Sequence, residues 1–113
     1  MNTSYFALHK KKLGGVSIAL GTPAWFQGPR YPALNPTWDM LSQYHLNRDT
    51  EIYTKSYNKE ILAPLDPEQV LFDFEQKTAL CFEKIKTIPV GFCHRRLVAD
   101  WIYKETGVYV PEL

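Results

Sequence analysis

The sequence predicts an α/β fold, a small three-layer sandwich with a short, mostly parallel sheet flanked by helices. Three observations predict it. Two strand-like runs stand near the N-terminus, three helix-like stretches follow, and the third leads straight into the buried run Ala79-Leu80-Cys81-Phe82, after which another helix begins. Helix feeding strand feeding helix is the unit from which parallel sheets are built. At 113 residues the chain is expected to be a single α/β domain over 1–113, with 45% hydrophobic residues to fill one core.

The first strand is expected over Thr3 to Leu8, before the solvated turn Lys10-Lys11-Lys12. Val16 to Leu20 reads as a second strand, because Gly14-Gly15 and Gly21-Thr22-Pro23 bound it. From Pro23 to Pro36 the chain is rich in proline and carries Trp25, Phe26 and Tyr31 without a steady period. Such a loop is either a binding lid or a cover for one side of the core.

Asn35-Pro36 fits a cap followed by proline at the first helical position, so a helix is expected from Pro36 to Leu46 with Trp38, Leu41 and Tyr44 on one face. Asp49 caps a second helix, in which Tyr53, Tyr57 and Ile61 recur every four residues until Pro64. Asp66-Pro67-Glu68-Gln69 is the clearest helix start in the chain, with Val70, Leu71 and Phe74 as its buried stripe. It feeds the strand Thr78 to Phe82, for which parallel pairing with Val16 to Leu20 is the economical arrangement. A connection marked by Pro89 and Gly91 precedes a last helix whose apolar face is Leu97, Val98, Trp101 and Ile102. Gly107 ends it, and Val108-Tyr109-Val110 is expected to add a short edge strand.

Thirteen Lys and Arg against twelve Asp and Glu leave a net charge of +1, which argues against holding duplex nucleic acid through a broad basic face. A local contact with a nucleic-acid end stays compatible with it. No apolar run has the length of a membrane span and no signal-peptide pattern opens the chain, so a cytoplasmic location and no membrane partner are expected. Cys81 and Cys93 make no disulfide framework and are read as reduced thiols.

The chemistry-bearing residues gather where the strand ends and the last helix begins. Cys93 would sit at a helix N-terminus beside Arg95 and Arg96, where its thiolate is stabilised; it is a candidate nucleophile, or else a small packed residue. His94 points toward the sheet, with Glu83 as its expected partner, in either a structural hydrogen bond or a base with its orienting carboxylate. Arg95 is the expected anion contact, while Arg96 reaches solvent or Asp100. Thr22 and Trp25, after the second strand, complete the expected ligand contacts. Metal binding is not expected, because Cys81, Cys93 and His94 have no second paired spacing, and no cofactor is implied. Gly-rich phosphate loops, nucleophile elbows and paired carboxylates are absent, which disfavours the common nucleotide hydrolases.

Leu80-Cys81-Phe82-Glu83 followed by Cys93-His94-Arg95 resembles the strand end and helix start of the family called domain of unknown function 488. Ser17 to Pro23 with Trp25, Tyr53 to Tyr57, Ile61-Leu62 and Leu65-Asp66-Pro67 agree with the same pattern. The resemblance implies a compact α/β domain and no particular reaction.

The expected function is the binding of a small anionic or phosphate-bearing ligand, a nucleotide or nucleic-acid end, at the strand C-termini. Arg95, Thr22 and Trp25 would hold it, and Cys93, His94 and Glu83 would act on it if the domain is an enzyme. The alternative is a non-catalytic interaction module, in which the aromatic loop with Tyr53 and Tyr57 faces a protein partner and the Cys-His-Arg cluster is structural.

Overall fold

The computed structural model describes residues 1–83 and 92–113. The connection marked by Pro89 and Gly91 lies outside the described residues. Strand β1 (Asn2–Tyr5) runs into the single turn α1 (Phe6–His9), and strand β2 (Gly15–Ser17) follows. Helices α2 (Trp38–Asn47), α3 (Thr50–Tyr57) and α4 (Pro67–Asp73) lead to strand β3 (Thr78–Cys81), and α5 (His94–Thr106) closes the order. The three strands form one parallel sheet in the order β1-β3-β2. The α/β architecture expected from the sequence is the one observed.

β3 is central and buried along its whole length, which is why Thr78 to Cys81 is an unbroken small and apolar run. β2 and β3 pair in parallel, as expected, with Val16 opposite Ala79. On one side of the sheet, Val16, Ile18 and Ala79 pack with Tyr57, Val70, Phe74, Val98 and Ile102 from the helices. A second, smaller cluster joins Phe6, Leu80 and Cys81 with Phe26 and Cys93. Gly15 belongs to that close approach, since a Cβ there would stand 2.6 Å from Leu80 Cδ1.

Several elements differ from expectation for local reasons. The first strand stops at Tyr5, because a helical turn carries Phe6 under the sheet and leaves Leu8 at the surface. β2 ends at Ser17, where the backbone N–H of Ala19 turns back to Ser17 Oγ at 3.2 Å. The loop after it is not structureless. The Ser17 N–H donates to the Pro29 carbonyl and the Tyr31 N–H donates to the Ser17 carbonyl, so the loop covers the free edge of β2 before a 3₁₀ turn at Pro32–Leu34.

Thr37, not Asn35, caps α2, accepting from the Met40 N–H at 3.2 Å. The Asn35 amide, with its nitrogen inward, donates to the carbonyls of Ile18 and Ala19. Met40 is the buried residue of α2, whereas Trp38 is 72% exposed. Asp49 and Asp66 cap α3 and α4 as expected. Past Tyr57 the helix widens into a π turn, Asn58–Leu62. Gly107 ends α5 in the left-handed conformation. The edge strand expected at Val108 to Val110 does not form. The pairing is instead a single parallel bridge between Thr3 and Glu112, beyond Pro111, because the hydrogen bonds to β1 run from the Thr3 N–H to Pro111 and from the Leu113 N–H to Thr3.

Candidate functional site

Cys81 ends β3, and Cys93 is the residue before the first turn of α5. The topology therefore brings together side chains separated by 12 positions, and the two sulfurs are bonded to one another. This corrects the expectation of two separate reduced thiols. Spacing gave no hint of the pairing, because it is created by the strand end meeting the helix start.

His94 is buried, and its Nε2–H donates to the Ile18 carbonyl at 2.8 Å. A carbonyl can only accept, so this bond fixes the tautomer and leaves the Nδ1 lone pair free, 3.8 Å from Cys93 Sγ. Burial, opposed by the Ile18 hydrogen bond and reinforced by the Arg95 charge, pushes the imidazole down to about 4. The ring is neutral near pH 7. The partner expected for it was Glu83, but that carboxylate is exposed and Ile18 takes its place.

Arg95 is fully buried. Its Nε and Nη2 donate to the two oxygens of Glu112 at 2.9 Å each, and Nη1 donates to Cys81 Sγ at 3.3 Å. The guanidinium expected to hold an external anion holds an internal one. Burial alone would raise the Glu112 carboxyl, but hydrogen bonds from Arg95 and Thr3 and the charges of Arg95 and Arg96 outweigh it and lower its pKa. Arg96 turns to Thr3 Oγ1 and the Val110 carbonyl instead of Asp100. The two arginines thus tie the C-terminal segment to β1.

A cavity of about 80 Å³ opens at this end of the sheet, between α2, α3 and the start of α5. Tyr44, Arg48, Tyr53 and Glu83 border it together with Cys93 and His94. All three residues expected to act on a ligand therefore meet one cavity. The Cys93 side chain makes no capping bond to the first turn of α5. Arg48, not Arg95, is the arginine that borders this cavity. Its guanidinium lies 5.4 Å from the Tyr44 ring centre, and no carboxylate among the described residues pairs with it.

Arg48 also ends α2 in the left-handed conformation, with φ of 54°. That position favours glycine, and a long charged residue there was the signal available in the sequence. Thr22 lies elsewhere, accepting from Arg30 Nη2 at 2.8 Å. Trp25, 40% exposed, packs edge-on against Phe6 and Phe26 beneath Lys10. Neither lines the cavity around Cys93. Tyr53 and Tyr57, expected on a partner-facing surface, are buried, and the Tyr57 hydroxyl donates to the Leu34 carbonyl at 2.6 Å.

No protein-family model, curated protein or solved structure matches the chain.

Proposed function

We propose that the protein binds a small anionic ligand carrying a phosphate or carboxylate group at the C-terminal edge of its sheet. The observation that carries this reading is the convergence of Arg48, Cys93 and His94 on one cavity beside the start of α5. The guanidinium and the free N–H groups of the first helical turn both favour an anion. Tyr44 supplies ring surface for the rest of the ligand. His94 and Glu83 would act on it, and Cys93 would join them only in the reduced protein, since its sulfur is bonded to Cys81. With Nε2 held by Ile18, His94 offers Nδ1 as a proton acceptor on the Cys93 side.

The likeness to the domain of unknown function 488 family points to the same strand end and helix start, and a cytoplasmic location belongs to this reading. Burial of Tyr53 and Tyr57 weighs against the interaction module, because it removes two of the aromatic rings that reading needs.

A thermal-shift series with inorganic phosphate, sugar phosphates, nucleotides and short oligonucleotides tests the proposal. A ligand at a hundredfold excess over its Kd stabilises the folded state by about 2.7 kcal/mol. Saturable stabilisation of the wild type, weakened at least about tenfold in Arg48→Ala, is the expected result, since a charge-assisted bond is worth ~1.5–3 kcal/mol. Equal binding by the two proteins would overturn it.

A further inference from the structure

Cys81, Cys93 and His94 present two sulfurs and a ring nitrogen that all lie within 4.8 Å of one another, and all three side chains are buried. Thiolate and imidazole donors suit zinc and other soft or borderline cations. Residues that merely happen to be neighbours need not show more than this, but three further features prepare these atoms to share an ion.

The first is the orientation of His94. Its Nε2–H bond to the Ile18 carbonyl locks the ring with Nδ1 turned toward Cys93 Sγ. A backbone carbonyl holding the far nitrogen is the usual support of a metal-binding imidazole. The second is charge. Arg95 donates to Cys81 Sγ, yet Glu112 already neutralises that guanidinium through two hydrogen bonds. Two buried thiolates here would lack a counter-charge, and a divalent ion supplies it.

The third feature is backbone spacing. The Cα atoms of Cys81 and Cys93 are 7.4 Å apart, wider than the ~4.4–6.8 Å that disulfides usually span. Two thiolates, each ~2.3 Å from a tetrahedral ion, stand about 3.8 Å from one another. The wider backbone separation suits that arrangement.

We infer that the reduced protein holds a divalent metal ion of the zinc class between Cys81 Sγ, Cys93 Sγ and His94 Nδ1, with a fourth position facing the cavity beside Arg48. Reaching this state from the disulfide takes two electrons and two protons from a dithiol, which leaves as its own disulfide. Metal loading then releases the two thiol protons to solvent. An anion in the cavity would be placed to complete the coordination, but the metal site rests on different atoms and does not depend on anion binding.

The test uses the full chain, reduced with dithiothreitol, freed of reductant without air, and titrated with cobalt(II) in phosphate-free buffer. A thiolate-to-cobalt charge-transfer band in the near ultraviolet should saturate at one equivalent and vanish when zinc is added. Cys81→Ser and His94→Gln should each weaken cobalt binding by more than about tenfold, because each removes one ligand of three. Zinc should also protect both wild-type thiols from iodoacetamide, as read by mass spectrometry, a measurement that needs no variant to fold. Absence of the band in reduced wild type, an unchanged band in Cys81→Ser, or both thiols alkylated equally fast with and without zinc would each overturn the inference. Phosphate binding is read separately by thermal shift, so either proposal can fail while the other stands.

Discussion

Arg95 and Arg48 stand near the same end of the sheet, and the fold uses them in opposite ways. Around Arg95 a closed knot forms: both Glu112 oxygens, Cys81 Sγ, Thr3 and Arg96 satisfy one another with little access to water. Around Arg48 the rim is open, with a guanidinium resting on a tyrosine ring and bordering a cavity. A charged residue at a helix start is therefore no guide to ligand binding by itself. What decides is whether its donors have been consumed inside the protein.

The largest expected effect breaks the knot. Glu112→Ala leaves a buried guanidinium without its counter-charge, which costs about 3–5 kcal/mol. Urea unfolding monitored by circular dichroism should show that loss. A loss under about 1 kcal/mol, the range of exposed ion pairs, would mean that the pair is not sealed and would erase the contrast with Arg48.

Removing the His94 ring should cost less, about 2–3 kcal/mol, by opening a cavity and depriving the Ile18 carbonyl of one of its donors. His94→Ala compared with wild type in the same unfolding series checks this. A cost as large as that of Glu112→Ala would make the thiol side as structural as the knot, and would favour the reading in which the Cys-His-Arg cluster only supports the fold.

Acid sharpens the comparison further. The Glu112 carboxyl has a lower pKa folded than unfolded. Its pairing thus contributes stability above the ordinary carboxylate value of ~4.3, and the contribution is lost as pH falls through the folded value. The stability difference between wild type and Glu112→Gln should be largest near neutrality and shrink below about pH 4. A difference that stays constant with pH would show that the carboxylate is not held ionised by Arg95.

Much of the fold was legible because local chemistry and tertiary packing agree. Asp49 and Asp66 announce their helices, the buried run at Thr78 announces the central strand, and Gly107 stops the last helix. The gathering of Cys93, His94 and Glu83 around one cavity was legible for the same reason, since a strand end and a helix start mark the sheet edge. What could not be read depends on residues far apart in the chain. Thr3 and Glu112 meet across a separation of 109 positions, and no periodicity marks Glu112 as the partner of Arg95. The Cys81–Cys93 contact likewise belongs to topology and not to spacing.

Arg48 gives the smallest effect on stability and the most pointed test of the rim. With φ of 54° it occupies backbone space that costs an L-residue roughly 1–2 kcal/mol and glycine almost nothing. Its contact with Tyr44 returns about 0.5–1 kcal/mol at an exposed site. Arg48→Gly loses the ring contact but relieves the backbone, so the two changes nearly cancel and its stability should stay within about 1 kcal/mol of wild type. Arg48→Ala loses the contact and keeps the strain, so it should unfold about 1 kcal/mol more easily than Arg48→Gly. Urea midpoints of the three proteins would establish the order. If Arg48→Gly matches wild type in stability yet no longer responds to phosphate, the arginine is held at a glycine position for what its guanidinium does at the cavity. If Arg48→Gly is instead the least stable of the three, the guanidinium supports the fold, and the contrast with Arg95 disappears.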